Sequence, residues 1–169
     1  RKAFHGYLKD FGFGERTGID LPGEVVGLLR PPNKWFEVDL AAISFGQGIS
    51  VTPIQLTSAV ASIANGGYLM EPYVVDRVVD SQGQVSQQHQ PRVVRKVIAR
   101  DVAQTVSRMM EMATEDGGTA TNARVPGFRV AGKTGTAQKV DAVTGTYSVD
   151  KRVASFVGFL PAEAPRLVM

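Results

Sequence analysis

Apolar residues recur at helical spacing in three long stretches of the chain, which indicates helices that each bury one face. The first stretch covers residues 1–11 and is followed by Gly12, a residue suited to a helix C-terminus. The last covers residues 99–114, and its methionines are expected to fill the core. A shorter helix is predicted over residues 38–43.

The middle stretch carries the most complete helix signals. Thr52 is a favourable N-cap, Pro53 suits the first helical position, and Gln55 stands where a capping box requires it. The apolar face consists of Leu56, Ala59, Val60 and Ile63. The run 65–67, Asn-Gly-Gly, ends the predicted helix.

Glycine and proline are frequent between residues 14 and 35, and the apolar pattern is absent there, so we expect a long surface loop. Trp35 and Phe36 are expected to hold this loop against the body of the protein. Residues 73–79 and 92–98 are rich in β-branched side chains and predict a small arm or hairpin away from the main sheet. The polar run 86–90 is expected to be a solvated loop.

The last third of the chain has the pattern of a sheet. Residues 128–140 and 153–160 are expected to form two antiparallel strands around a turn at 144–145, and residues 167–169 to begin a third. The predicted fold class is therefore α+β, an antiparallel sheet with packed helices. No linker divides residues 1–169, which we interpret as part of a single domain.

Composition excludes several classes of protein. The 169 residues are 43% hydrophobic and 21% charged, which is typical of a globular protein. The net charge of +3 is small and its basic residues are scattered, so no nucleic-acid partner is expected. The chain has no cysteine, and its two histidines, His5 and His89, lie in unrelated surroundings. We therefore expect no disulfide, no metal site and no cofactor.

The candidate chemistry lies in residues 130–138. Side chains alternate along a strand, so Thr134 and Thr136 would project on one face, and Lys133 and Gly135 on the other. A cation, two aligned hydroxyls and exposed strand-edge amides suit the binding of a carboxylate and of a developing oxyanion.

A second interpretation of this region is a phosphate-binding loop, because residues 127–134 match G-x-x-x-x-G-K-[ST]. That loop functions between a buried strand and the N-terminus of a helix. Residues 121–126 are too polar for a buried parallel strand, and residues after Thr134 have low helix propensity. Nucleotide binding therefore remains only a minor alternative.

Lys133-Thr134-Gly135-Thr136 resembles the third motif of penicillin-binding proteins and serine β-lactamases. Other segments resemble the same family in the same order: Phe11–Gly14, Thr17–Glu24, Ile43–Leu56, Ala64–Gly67, Gly117–Ala120 and Phe156–Pro161. The similarity covers nearly the whole chain and is greatest to class B, division-type peptidoglycan D,D-transpeptidases. It places the chain in the C-terminal part of their transpeptidase domain.

This resemblance implies a serine acyl transferase that cross-links peptidoglycan stem peptides ending in D-Ala-D-Ala and that β-lactam antibiotics inhibit. It implies that Lys133 lies beside the nucleophile, and that the hydroxyls of Thr134 and Thr136 hold the terminal carboxylate. The N–H of Thr136 would donate to the oxyanion, and Gly135 belongs to the same substrate-binding strand. Gln47 would line the cleft, although a plain loop residue is an equally good interpretation.

The sequence departs from the family pattern in one respect. No S-x-N is present, and the one S-x-x-K, Ser148–Lys151, follows the Lys-Thr-Gly-Thr motif instead of preceding it. We interpret that match as accidental, with Ser148 in a turn between strands. Residues 1–169 alone are therefore expected to be inactive and to need a partner, either the missing N-terminal part of the same protein or a second copy.

The resemblance also implies cell-division machinery as a partner, and a location on the periplasmic side of the inner membrane through an anchor outside this chain. A β-lactam-sensing domain, which shares the Lys-Thr-Gly strand, is the main alternative function.

Overall fold

The computed structural model describes residues 1–141 and 144–169, and these contain four α-helices and seven strands. The helices are α1 (Lys2–Asp10), α2 (Glu37–Ser44), α3 (Pro53–Ala64) and α4 (Arg100–Glu111). The strands are β1 (Tyr68–Met70), β2 (Arg77–Val79), β3 (Val85–Gln88), β4 (Val93–Lys96), β5 (Ala131–Val140), β6 (Tyr147–Leu160) and β7 (Leu167–Val168). The predicted α+β class is confirmed.

The main sheet is antiparallel and has the strand order β5-β6-β7. Two further sheets have two strands each, β1 with β4 and β2 with β3. The small arm is therefore confirmed, but its pairing differs from the prediction. The polar run 86–90 is not a loop, because most of it lies in the exposed strand β3. Backbone groups make the ladder, so polar side chains that stay in solvent do not prevent pairing.

Helix α3 begins as predicted. The Thr52 hydroxyl accepts from the N–H of Gln55 at 3.2 Å, and the Gln55 side chain accepts from the N–H of Thr52 at 2.9 Å. The Gln55 amide also donates to the carbonyls of Glu15 (2.6 Å) and Val26 (3.1 Å) in the long loop. One buried side chain thus caps α3 and fixes two points of residues 14–35.

The core lies between the main sheet and the helices on one of its faces. It joins Val60 of α3, Ala131 of β5, Phe159 of β6 and the following Ala162, all buried. Met110 of α4 packs against this cluster. The helices therefore cover the sheet face that carries Ala131, which also fixes the orientation of the side chains farther along β5.

Two predicted core contacts were wrong. Trp35 is buried (3% exposed) and its indole N–H donates to the Arg30 carbonyl at 2.8 Å, but the adjacent Phe36 is 73% exposed. In α4, Met109 is 63% exposed, so only part of its predicted apolar face meets the core. No helix in the described ranges combines the length and the apolar character needed to cross a membrane.

Candidate functional site

Strand β5 has an open edge beside the predicted site, because β6 is its one neighbour in the described sheet. The orientation of its backbone groups follows from Gly158 of β6, which exchanges both backbone hydrogen bonds with Met169 (3.0 and 2.9 Å). The N–H and C=O of Gly158 therefore point toward β7 and away from β5. Along an antiparallel strand, the backbone N–H and C=O groups of successive residues point alternately to the two neighbouring sides. Since Thr134 pairs with Phe156 and Thr136 with Ala154, two and four residues from Gly158, both threonines direct N–H and C=O to the open edge.

The side chains alternate as predicted. Thr134 is half-buried and Thr136 is exposed, on the sheet face opposite the helices. Lys133 lies on the other face, and its ammonium bends to the open edge, where it donates to the Thr134 carbonyl at 2.7 Å. No carboxylate among residues 1–141 and 144–169 forms an ion pair with Lys133.

Two glycines keep this strand close to its neighbours. A Cβ at Gly132 would overlap the Phe156 ring, and one at Gly135 would stand 2.8 Å from the Ser155 hydroxyl. Gly135 therefore leaves room for the Ser155 side chain of the neighbouring strand, and Gly132 makes room for the Phe156 ring on the face that carries Thr134.

Thr119 is a site residue that sequence reasoning did not select. The Thr134 hydroxyl donates to the Thr119 hydroxyl at 3.0 Å, across 15 positions of the chain. The segment Gly117–Ala120 was singled out for its resemblance to the family, but no local pattern predicts a contact with β5. The loop after α4 thus reaches the candidate site.

That loop is held in place beneath the site. The buried Thr114 hydroxyl lies 2.8 Å from the Val130 carbonyl, directly before β5, and 3.0 Å from the Glu111 carbonyl. The N–H of Ala120 donates to the Ala113 carbonyl at 2.7 Å. Hydrogen bonds from the Thr114 hydroxyl and from the Ala120 N–H, one on each side of Thr119 in the sequence, therefore set its position.

An ion pair between Arg129 and Glu111 lies just before β5. Arg129 donates to the carboxylate of Glu111, which is largely buried, and this hydrogen bond raises the pKa of Arg129 above its ordinary value. The pair ties the residue before Val130 to the end of α4. The described residues contain no group of three or more His, Cys, Asp or Glu side chains suited to a metal ion.

Gln47 is held by the end of α2. It lies after α2, is half-buried, and its N–H donates to the Ala42 carbonyl at 3.0 Å. Within the described part of the chain it forms no hydrogen bond with residues 131–140. Its place in a cleft remains a prediction.

The two competing motifs do not have the structural context they require. The sequence predicts Ser148 in a turn, but the residue lies in β6. Its hydroxyl accepts from the N–H groups of Asp150 and Lys151. The register of β6 against β5 is irregular between Tyr147 and Arg152, so Ser148 and Lys151 lie in an irregular part of a strand, whereas the family motif requires the start of a helix. Residues 131–140 form a strand where a phosphate-binding loop would begin a helix.

The arrangement can bind an anion and stabilise a developing negative charge. The open edge offers the N–H of Thr136, two hydroxyls and an ammonium without a carboxylate partner. Such fixed donors act on a carboxylate, or on the oxyanion of a tetrahedral intermediate, without reorganising during the reaction.

Comparisons with known proteins identify one family over the whole chain. The family described as penicillin binding protein transpeptidase domain matches residues 1–169. Stage V sporulation protein D of Bacillus subtilis is 43% identical over 164 residues, which are 96% of this chain and 25% of that protein. The peptidoglycan D,D-transpeptidase FtsI of Escherichia coli is 34% identical over 159 residues, 94% of this chain and 25% of FtsI. The chain therefore spans about a quarter of the length of these relatives.

Solved structures of penicillin-binding proteins also match nearly the whole chain. Penicillin binding protein 3 of Mycobacterium tuberculosis, complexed with aztreonam, superimposes with a TM-score of 0.92 at 35% identity, over 99% of this chain and 39% of that one. The transpeptidase domain of Burkholderia pseudomallei penicillin-binding protein 3, in its apo form, gives a TM-score of 0.84 at 34% identity, over 99% of this chain and 47% of that one.

Proposed function

The chain belongs to the family of penicillin-binding protein transpeptidase domains, of the class B type, and from this premise we propose that it forms the anion-binding wall of a peptidoglycan D,D-transpeptidase. The observation that carries the proposal is the open edge of β5, where Thr134 and Thr136 direct their backbone groups outward beside Lys133. The serine nucleophile is supplied by a part of the protein outside residues 1–169.

The proposed reaction is an acyl transfer. The serine oxygen attacks the penultimate D-Ala carbonyl of a stem peptide, and the amide oxygen takes up negative charge, which the N–H of Thr136 stabilises. The C–N bond then breaks, and terminal D-Ala leaves as an amine after it takes the proton that the serine hydroxyl gave up. An amine of a neighbouring peptidoglycan chain then attacks the ester, so that a new amide bond forms, the serine C–O bond breaks, and the serine oxygen regains a proton from the amine.

Binding of the terminal carboxylate is the second role of the strand. The hydroxyls of Thr134 and Thr136 donate to it, and Lys133 supplies the compensating charge and assists proton transfer. A penicillin carries a carboxylate in a comparable place, and a monobactam a sulfonate, so the same groups would hold either antibiotic. The related penicillin binding protein 3 has been solved as complexes with aztreonam and with ampicillin, which supports this part of the proposal.

Acylation of the whole protein by a fluorescent penicillin tests the role of Lys133. Lys133→Ala should lower the acylation rate strongly, whereas Lys139→Ala, which removes an exposed lysine from the same strand, should leave it nearly unchanged. Equal rates for the two variants would contradict the proposal.

A β-lactam-sensing domain is the competing function, because it would also be acylated. Release of D-Ala from a peptide ending in D-Ala-D-Ala separates the two. A transpeptidase releases D-Ala repeatedly and transfers the acyl group to an added amine, and a sensor does not. The relatives named as peptidoglycan D,D-transpeptidases favour the enzyme.

The isolated polypeptide 1–169 is expected to form no covalent adduct with penicillin, since it lacks an S-x-x-K ahead of residue 133. Three apolar side chains in and beside α2, Phe36, Val38 and Phe45, are each at least 70% exposed, which supports a requirement for the rest of the protein or a second copy as a covering partner. An adduct measured by intact mass would contradict the first expectation, and a stable monomer in dilute solution the second.

The location follows from the proposed substrate, and the proposed cellular partner from the resemblance to division-type transpeptidases. Peptidoglycan lies outside the cytoplasmic membrane, so the catalytic domain would face the periplasm, with the membrane anchor outside residues 1–169. Cell-division machinery is the proposed partner of the whole protein.

A further inference from the structure

A groove of about 790 Å³ lies between α4, the end of α3 and the turn that follows β6. Its floor is apolar and made of small side chains, with Ala103 and Ala162 buried and Ala64 partly buried. One wall is a stripe of α4 on which Arg100, Gln104 and Arg108 follow each other at four-residue spacing. The opposite wall is residues 163–166.

Arginines dominate the charge of this groove. Arg100, Arg108 and Arg166 are exposed, and none of them makes a side-chain hydrogen bond or ion pair with the described part of the chain. The fourth arginine, Arg129, is already paired with Glu111. Glu163 is the one other acid that lines the groove. Three guanidinium groups therefore face a concave surface without a partner, where their fields add.

We propose that this groove is a docking site for an extended acidic peptide segment of a partner protein. Two guanidinium forks on one helix wall match carboxylates, which arginine binds in a bidentate manner. Between them, the Gln104 side chain offers a donor and an acceptor to the peptide backbone. The small apolar floor accepts a small side chain from the same peptide.

The spacing of the arginines defines the peptide. Arg100 and Arg108 are eight residues apart on α4, or about 12 Å along its axis. Two carboxylates four residues apart in an extended chain are about 13 Å apart and project on the same side. The residue midway between them also projects on that side, toward the buried alanines. The expected pattern is an acid, three residues with a small one in the middle, and a second acid.

Other anions fit the groove less well. A membrane surface is nearly flat on this scale and does not enter a concave site, so it would not contact Ala103 or Ala162. Inorganic phosphate pairs with one or two arginines but gains nothing from the apolar floor. A peptide uses both features, which is the reason for preferring it.

The groove is separate from the candidate active site. Arg129, at one end of the groove, precedes Lys133 by four residues of extended chain, or about 13 Å. Docking and the proposed reaction can therefore be tested independently.

Photo-cross-linking to the whole protein in 0.15 M salt tests the proposal, with the peptide Glu-Val-Ala-Val-Glu bearing a benzophenone at its C-terminus. The valines favour an extended chain. We expect mass spectrometry to place the cross-links on residues 100–108 and 162–166. Arg100→Gln combined with Arg108→Gln should lower cross-linking about three- to tenfold, as expected for two exposed arginine–carboxylate pairs.

Controls match charge and size. Arg16→Gln combined with Arg77→Gln removes the same charge outside the groove and should leave cross-linking unchanged. The peptide Gln-Val-Ala-Val-Gln should label weakly. Thermal unfolding followed by circular dichroism verifies that both double variants fold.

Four results would overturn the proposal: cross-links at other positions, an equal loss in the two double variants, displacement of the peptide by inorganic phosphate at matched ionic strength, or binding to phosphatidylglycerol vesicles that depends on Arg100 and Arg108. The third would assign the groove to a small anion, and the fourth to a membrane.

Discussion

The Thr134 hydroxyl donates a hydrogen bond to the hydroxyl of Thr119, 3.0 Å away on the loop after α4. A hydroxyl has one proton, so Thr134 cannot donate to Thr119 and to a bound carboxylate at once. If Thr134 turns its proton to a ligand, Thr119 can become the donor and keep the Thr134 oxygen in place. The loop therefore fixes the orientation of a proposed binding group.

Replacement of Thr119 tests this relationship. Thr119→Val removes the partner and should lower the rate of penicillin acylation of the whole protein about three- to tenfold, the usual effect of one hydrogen bond. Thr119→Ser keeps the hydroxyl and should restore most of the rate. If the serine variant is as slow as the valine variant, packing and not hydrogen bonding explains the effect.

The backbone of Thr136 gives a sharper test of the oxyanion site. Proline at this position removes the N–H, which faces the open edge and not β6, so the ladder keeps its hydrogen bonds. Thr136→Pro should lower acylation about 10²–10³-fold, whereas Thr136→Val, which keeps the N–H, should lower it much less.

A second proline variant checks the assigned backbone direction. The N–H of Gly135 faces β6, so Gly135→Pro should lower the melting temperature more than Gly135→Ala, which adds the same Cβ beside the Ser155 hydroxyl but keeps the N–H. Thr136→Pro should not lower it to the same extent. The reverse order would mean that the alternation along β5 is assigned incorrectly.

The sequence was sufficient to predict the parts of the fold that depend on local signals. The helix that begins at Thr52 has its cap, its first-turn proline and its apolar face within a few residues of one another, and the structure contains all three. The alternation that separates Thr134 from Lys133 likewise needs only a strand. Local backbone geometry determines both features.

Long-range contacts were not predictable in this way. The contact of Thr119 with Thr134 depends on how the loop after α4 returns to the sheet, and the pairing of β1 with β4 depends on which of several exposed strands meet. The exposure of Phe36 had no sequence signal, because an aromatic residue beside a buried tryptophan has the pattern of a core residue.

Gly132 is a position where steric space decides stability. The Phe156 ring lies over it, so Gly132→Ala should lower the free energy of unfolding of the protein by about 1–3 kcal/mol, the usual cost of overpacking. Combining it with Phe156→Leu should recover part of this loss, which urea unfolding would measure. Additive losses in the double variant would mean that the methyl group and the ring do not compete for the same space.

Glu15 connects three elements and makes stability depend on pH. Its carboxylate pairs with Lys9 of α1 at 2.7 Å and with Arg95 of β4 at 3.0 Å. These contacts, chiefly the hydrogen bond from Lys9, hold the pKa of Glu15 below its ordinary value of 4.5. The ionised form therefore stabilises the fold above pH 4.5, and this contribution is lost as the pH falls through the lowered pKa.

Glu15→Gln should consequently lower the urea midpoint of unfolding at pH 7, and its difference from the unmodified protein should shrink as the pH falls below 4.5. The effect should be modest, because the Glu15 side chain is 37% exposed and solvent screens the pairs. Glu37→Gln is the matched control: its side chain is 97% exposed and lies 3.8 Å from Arg1, so little change is expected at any pH. A difference for Glu15→Gln that stayed constant down to pH 3 would show that the amide disturbs packing and that the charge of Glu15 does not stabilise the fold.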